Sequence, residues 1–269
     1  MTKGILWLNG QFLSPDEARI DPADRGFTLA DGLFETLRAA GGKVLRLPAH
    51  LARLHAGAKM FGLTLPCADD EIAKAMSALL DRNGLSDAVL RLTLTRGVGP
   101  RGLLPPSEQK PTLLLTVAPA AASSGPVKAI IATVTRRNEF SPASRFKTLN
   151  YLDNVMARKE AADKGADDAL LLNSQGKLVE STIANLFVVT EGDVLTPPVS
   201  DGALPGVMRG DVMDRLGAAT ASIKPGDLVE ASEAFLTNAT GIRALISVDG
   251  KAIGNGEEGP VTARLRASL

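Results

Sequence analysis

The chain has 269 residues, enough for two small domains or one large one with ample material for cores. Thirty basic residues balance thirty acidic ones, so no broad basic surface for nucleic acid or an anionic membrane is implied. A single cysteine, Cys67, cannot form an internal disulfide, and two histidines, His50 and His55, argue against a His/Cys metal site or Ser-His-Asp chemistry.

The first ten residues hold too short an apolar stretch for a signal peptide, and no run approaches the ~20 apolar residues that span a bilayer, so a cytoplasmic location is expected. Residues 5–13 alternate as a strand broken at Asn9-Gly10, a hairpin signal. From Pro48, Leu51, Leu54, Ala58 and Phe61 recur at helical spacing and stop near Gly62. A second helix is expected from Asp69 to about Asn83, where Asn83-Gly84 supplies a stop. Strands at 89–95 and 112–117 complete a small N-terminal α/β domain over 1–117.

Residues 118–126 are small and bracketed by prolines. The alanine triplet favours helix, but Pro119 ahead and Ser-Ser-Gly-Pro behind leave no room, so they read as an interdomain linker. A larger strand-rich domain is expected over 127–269. It opens with a strand at 127–134 and a helix at 150–164 that has Leu152, Val155, Met156 and the stem of Lys159 at helical spacing. Strands at 169–172, 177–179 and 185–189, a short helix at 206–216, and strands at 234–237 and 244–248 follow. The class is α/β (α+β) in two domains.

Four segments carry chemistry. Lys147 lies in Arg145-Phe146-Lys147-Thr148-Leu149-Asn150-Tyr151, and Glu180 opens Glu180-Ser181-Thr182-Ile183-Ala184-Asn185. Leu204-Pro205-Gly206-Val207-Met208-Arg209 and Leu236-Thr237-Asn238-Ala239-Thr240-Gly241 follow. A lysine to form a Schiff base, an acid to keep a pyridine nitrogen protonated and two loops to bind phosphate are what a pyridoxal 5′-phosphate enzyme requires. Singly, each has a plain reading: Lys147 as a solvated lysine, Glu180 as a strand-edge carboxylate, Arg53 as half of a surface ion pair.

Together they resemble the fold-type IV pyridoxal phosphate enzymes, or class IV aminotransferases. That family holds branched-chain and D-amino acid aminotransferases, (R)-selective amine transaminases and aminodeoxychorismate lyases. The block at residues 24–36, His50-Leu51-Ala52-Arg53-Leu54, the lysine and glutamate blocks and both loops follow in the family's order over nearly the whole chain. The resemblance implies a two-domain, D-amino acid aminotransferase-like fold with pyridoxal 5′-phosphate in the cleft between domains. It also implies a homodimer in which the partner completes part of each pocket.

The same resemblance implies roles by residue. Lys147 would hold the cofactor and carry a proton between substrate and cofactor, and Glu180 would pair with the ring nitrogen. Arg53 would bind phosphate, with the backbone amides of Val207 and Met208 at a helix start. Thr240 would add a hydroxyl, with Asn238 or Thr237 as alternatives. Tyr151, the only tyrosine, would meet the cofactor's phenolic oxygen or else serve as a buried aromatic.

For the substrate, the Gly/Pro-flanked loop at 95–102 carries Arg96 and Arg101, suited to a carboxylate or else solvated. Such loops occur in several branches of the family, and Leu103 stands where D-amino acid enzymes place a histidine. Tyr151 and the run Phe34-Glu35-Thr36-Leu37-Arg38, with Phe34 and Arg38 as substrate-side candidates, lean toward branched-chain-like or mixed-specificity transaminases, and residues 97–102 lean toward the lyase. The expected reaction moves an amino group from a branched-chain or D-amino acid to a 2-oxo acid. The alternative is cleavage of 4-amino-4-deoxychorismate to 4-aminobenzoate and pyruvate. Small amino and oxo acids are the expected partners, with no nucleic acid, membrane or metal.

Overall fold

Alternation along Gly32–Ala40 shows how the first sheet is built. Leu33, Glu35, Leu37 and Ala39 are buried on one face, while Thr36, Arg38 and Ala40 are only half-buried on the other. The computed structural model describes residues 4–121 and 125–268. They divide into two units, one of residues 4–121 with Phe146–Asn150, the other of 125–145 with 151–268.

The first unit runs β1 (Leu6–Leu8), β2 (Gln11–Leu13), α1 (Arg25–Leu29), β3 (Gly32–Ala40), β4 (Lys43–Val44), α2 (Leu47–Phe61), α3 (Asp69–Arg82), β5 (Ala88–Thr95) and β6 (Thr112–Pro119). Its antiparallel sheet has the order β2-β1-β6-β5-β3-β4. Helix α2 ends at Gly62 in the left-handed conformation, and α3 opens with Asp69, Asp70 and Glu71 at its positive end. Both helices lay an apolar stripe on the sheet: Leu51, Leu54, Ile72, Met76 and Leu79 join Leu37, Leu90, Leu92 and Leu113 in one cluster.

Phe146–Asn150 falls in this first unit although the sequence groups it with the second. The cause is local pairing at the edge of β3. Phe34 N–H donates to Lys147 O at 2.8 Å and Leu149 N–H donates to Gly32 O at 3.0 Å. Phe146 then packs edge-on against Phe61 of α2, with ring centroids 5.6 Å apart.

The second unit runs β7 (Val127–Ile131), α4 (Pro142–Arg145), α5 (Leu152–Asp163), β8 (Asp168–Leu172), β9 (Leu178–Ser181), β10 (Asn185–Thr190), β11 (Asp193–Thr196), α6 (Val207–Leu216), β12 (Ala219–Thr220), α7 (Asp227–Glu230), β13 (Glu233–Asn238), β14 (Gly241–Val248), β15 (Lys251–Ala252) and α8 (Pro260–Ala267). The sheet order is β12-β11-β10-β13-β14-β7-β8-β9, with β15 on β14. Strand β9 also pairs with β10 through Glu180 and Asn185, so β10-β13-β14-β7-β8-β9 closes on itself. A closed sheet fixes strand register with no free edge at the seam.

Two expectations change. Of the linker at 118–126, Ala118 and Pro119 belong to β6, and residues 122–124 lie outside the described residues. In α5 the buried side chains are Asn154, Ala157 and Ala161, whereas Leu152, Val155 and Met156 are exposed. Ala157 and Ala161 pack with Ala169 and Leu171 of β8, since small side chains let the helix approach the sheet closely.

Candidate active site

In the first unit, Lys147 is half-buried and its backbone is pinned to Phe34. Its Nζ lies 4.2 Å from the centroid of the Phe34 ring, and the guanidinium of Arg91 lies 3.8 Å from the same centroid. Two cations against one aromatic ring form a positive cluster that favours anions. Arg91, on β5, is missing from the sequence reading. Its signal was alternation, since within β5 it is an exposed cation between the buried Leu90 and Leu92.

Glu35, one residue beyond Phe34, turns to the helix side. It is 1% exposed and binds two residues of α2: Arg53 Nε reaches Oε1 at 2.8 Å, Arg53 Nη2 reaches Oε2 at 2.6 Å, and His50 Nδ1 lies 2.7 Å from Oε2. Burial pushes the Glu35 carboxyl up, but Arg53 and His50 outweigh it and hold the group below the usual carboxylate range. Arg53 thus has its fork fixed by a bidentate contact rather than floating on a helix surface.

The remaining arginines of this unit separate. Arg96 donates to both oxygens of Asp31 at 2.7 and 3.0 Å and to Phe61 O and Gly62 O at 2.8 Å, so it ties β3 to the end of α2. Arg25, buried, donates to Asp31 at 2.9 Å and to Gly102 O and Leu103 O at 2.9 Å. Burial raises Asp31, yet Arg96 and Arg25 bring it below its ordinary value. Arg96 is therefore an architectural clamp instead of a substrate ligand. Arg38 lies four residues along β3 from Phe34, about 13 Å away at ~3.3 Å per residue, and donates to Asp87 and Ala88 O. Arg101 stays exposed in a loop that Arg25 anchors, and Gly97 (φ +80°) is required there because an added Cβ would sit 1.6 Å from Lys110 O.

In the second unit, Glu180 is 5% exposed at the seam of the closed sheet. Its Oε1 accepts from Arg137 Nη2, and its Oε2 accepts from Leu204 N–H at 3.0 Å and Asn185 Nδ2 at 3.2 Å. Asn185 also donates to Leu204 O at 2.9 Å, which places the approach to α6 beside the seam. Gly206, the N-cap of α6, is glycine because a Cβ would sit 2.0 Å from Asn185 Oδ1. No side chain caps α6, which leaves the amides of Val207 and Met208 as an anion site. Tyr151 is half-buried at the N-cap of α5.

Phosphate-binding candidates in the 236–241 turn resolve differently from the sequence order. Thr240 is exposed, with both its hydroxyl and its N–H on Asn238 Oδ1 at 2.6 and 2.9 Å, and Asn238 Nδ2 reaches Ile183 O at 3.4 Å. Thr237 pairs with Asn185 in the sheet, is 1% exposed, and its Oγ1 has no partner. Among the described residues the other buried side-chain atoms without partners are Arg137 Nε and Arg209 Nε, both donors. Burial lowers the Arg209 guanidinium, and the charge of Glu180 partly offsets this. Unsatisfied donors, an uncapped helix start and a buried carboxylate fit a phosphorylated pyridine.

The class IV amino-transferase family model matches residues 32–248. A Methanocaldococcus jannaschii protein, named provisionally as a branched-chain-amino-acid aminotransferase, is 35% identical over 97% of this chain and 93% of its own. The D-alanine aminotransferase of Bacillus licheniformis is 28% identical over 97% of this chain and 94% of its own. Among solved structures, the branched-chain amino acid aminotransferase from Escherichia coli has a TM-score of 0.91 at 26% identity, covering 99% of this chain and 93% of that one.

Proposed function

This chain belongs to the class IV aminotransferases, a pyridoxal phosphate-dependent family, and on that premise we propose that it moves the amino group of a branched-chain or D-amino acid to a 2-oxo acid. The observation that carries the reading is Lys147, pinned to β3 with its Nζ over Phe34 and the cation of Arg91 on the same ring. Bound pyridoxal phosphate supplies an electron sink for the substrate's Cα.

The chain's own residues do the rest. Lys147 would hold the cofactor covalently and, once freed, would move the Cα proton as a general base and acid, its backbone pinned to Phe34 and its amine set over the Phe34 ring. Glu180 holds the proton at the ring nitrogen, supported by three donors that fix both its oxygens. In the second unit the Val207 and Met208 amides and the Thr237 hydroxyl would bind phosphate; in the first, Arg53, its fork preset by Glu35, is a phosphate-ligand candidate. Tyr151, half-buried at the N-cap of α5, would orient the cofactor's phenolic oxygen. Arg91 and Arg101 receive substrate carboxylates, and Phe34 offers an apolar wall.

Amino transfer from a panel of L- and D-amino acids to 2-oxoglutarate and pyruvate, run beside cleavage of aminodeoxychorismate, tests the reading. Transfer from branched-chain or D-amino acids is expected; release of 4-aminobenzoate without transfer overturns it. We also place the enzyme in the cytoplasm as a homodimer. Its free Cys67 and the exposed Phe27, Leu103 and Leu104 support this, and light scattering at twice the chain mass is the check.

A further inference from the structure

We propose that Arg137 is a positioning residue that acts through Glu180: it sets how firmly Glu180 holds the proton on the cofactor's ring nitrogen. The inference rests on the proposed role of Glu180 and goes beyond it. Arg137 is absent from the motifs that suggested the chemistry, yet it makes an ion pair with Glu180 in which the two side chains are 13% and 6% exposed.

Several segments hold Arg137 in place. Its N–H donates to Leu172 O at 2.8 Å, it bridges to Asn173, and its Nη1 lies 3.4 Å from Asn154 Oδ1. Its stem lies under Gly202, whose added Cβ would be 3.1 Å from Arg137 Cγ and whose φ of +105° already favours glycine. The guanidinium still leaves Nε buried and unpartnered, a cost that an arginine kept only for packing would avoid. A second cation, Arg209, also acts on Glu180, but its Nη2 is committed to Pro197 O at 3.0 Å.

The physical consequence follows from charge sharing. Glu180 already accepts from Arg137 on Oε1 and from Leu204 and Asn185 on Oε2. A carboxylate whose charge is partly neutralised by a fixed guanidinium attracts a further proton less than a bare one. Arg137 therefore moderates the grip of Glu180 on the ring proton, and with it the electron demand that the ring places on the substrate.

The experiment uses holoenzyme loaded with cofactor carrying nitrogen-15 in the ring, and reads the ring-nitrogen resonance. Four forms are compared with the parent: Arg137→Met, Arg137→Lys, Glu180→Gln and the double variant Arg137→Met/Glu180→Gln. Removing the cation should move the resonance toward its fully protonated position, Arg137→Lys should move it less in the same direction, and in the Glu180→Gln background Arg137→Met should have no effect. An unmoved resonance in Arg137→Met overturns the proposal, as does an equal shift in both backgrounds, which marks a merely structural arginine. If Arg137→Met does not fold, an unmoved resonance in Arg137→Lys overturns it equally. A Glu180→Gln protein that matches the parent instead refutes the role of Glu180 itself, a separate outcome.

Discussion

Lys147 and Phe34 hold each other twice: the Phe34 N–H donates to the Lys147 carbonyl at 2.8 Å, and Lys147 Nζ lies 4.2 Å from the centroid of the Phe34 ring. The backbone contact sets where the lysine starts, and the ring contact sets where its amine ends.

Lys147→Ala should abolish borohydride-trappable attachment of the cofactor while the protein stays folded. The lost cation–ring contact amounts to about 0.5–1 kcal/mol, a small change in a melting curve. Peptide mapping of the reduced parent should find the cofactor on Lys147, and recovery on any other lysine sinks the assignment.

Glu180→Gln should keep the cofactor but slow proton transfer at least a hundredfold, since a neutral amide cannot hold the ring nitrogen protonated. Each tenfold corresponds to ~1.4 kcal/mol of barrier. Single-turnover rates measure this directly, and a rate within threefold of the parent refutes the role.

Glu35 yields a prediction in pH. Its folded value lies below the ordinary one, so its stabilising contribution is complete above the usual glutamate value of ~4.3 and is lost as pH falls through the lower folded value. Glu35→Gln should cost about 3–5 kcal/mol at neutral pH, because it removes the buried carboxylate that faces Arg53 and His50. Its stability should then fall less steeply below pH ~4. Urea unfolding at pH 7, 5, 4 and 3 checks both, and parallel curves for variant and parent count against the pairing.

Arg53→Lys separates binding from stability. Lysine keeps a charge facing Glu35 but loses one of the two contacts, so cofactor should dialyse away about tenfold faster while stability falls by about 1.5–3 kcal/mol, less than in Glu35→Gln. Equal retention in the two proteins would leave Arg53 a structural residue.

Arg91→Ala and Arg101→Ala should each raise KM for substrates with a carboxylate, roughly tenfold, and leave simple amines unaffected. Steady-state kinetics on matched acid and amine pairs reads this. Equal effects on both substrate types move the carboxylate site elsewhere.

Much of this was legible in the sequence, for particular reasons. Helices α2 and α3 announced themselves because apolar spacing and a glycine or asparagine stop agreed over fourteen or fifteen residues. Lys147 and Glu180 stood out because several motifs occurred in order. What stayed hidden depends on contacts far apart in the chain. Arg96 looked like a substrate ligand until Asp31, 65 positions away, claimed it, and Arg137 meets Glu180 across 43 positions. Helix α5 misled for the opposite reason: Leu152, Val155 and Met156 gave the stronger apolar pattern, but close packing selected Ala157 and Ala161.

The five residues Phe146–Asn150 also shield an edge. They cover Gly32–Phe34, part of the stretch of β3 that β4 does not reach, since β4 pairs with Ala39 and Ala40. A fragment ending before the second unit would carry all six strands of the first sheet, yet it would lack Lys147 and bare an unpaired strand edge, an invitation to intermolecular pairing. Lys147 and protection against aggregation are therefore inherited together. Any exchange of the second unit between relatives, natural or engineered, has to bring with it the strip that carries Lys147 and seals the edge.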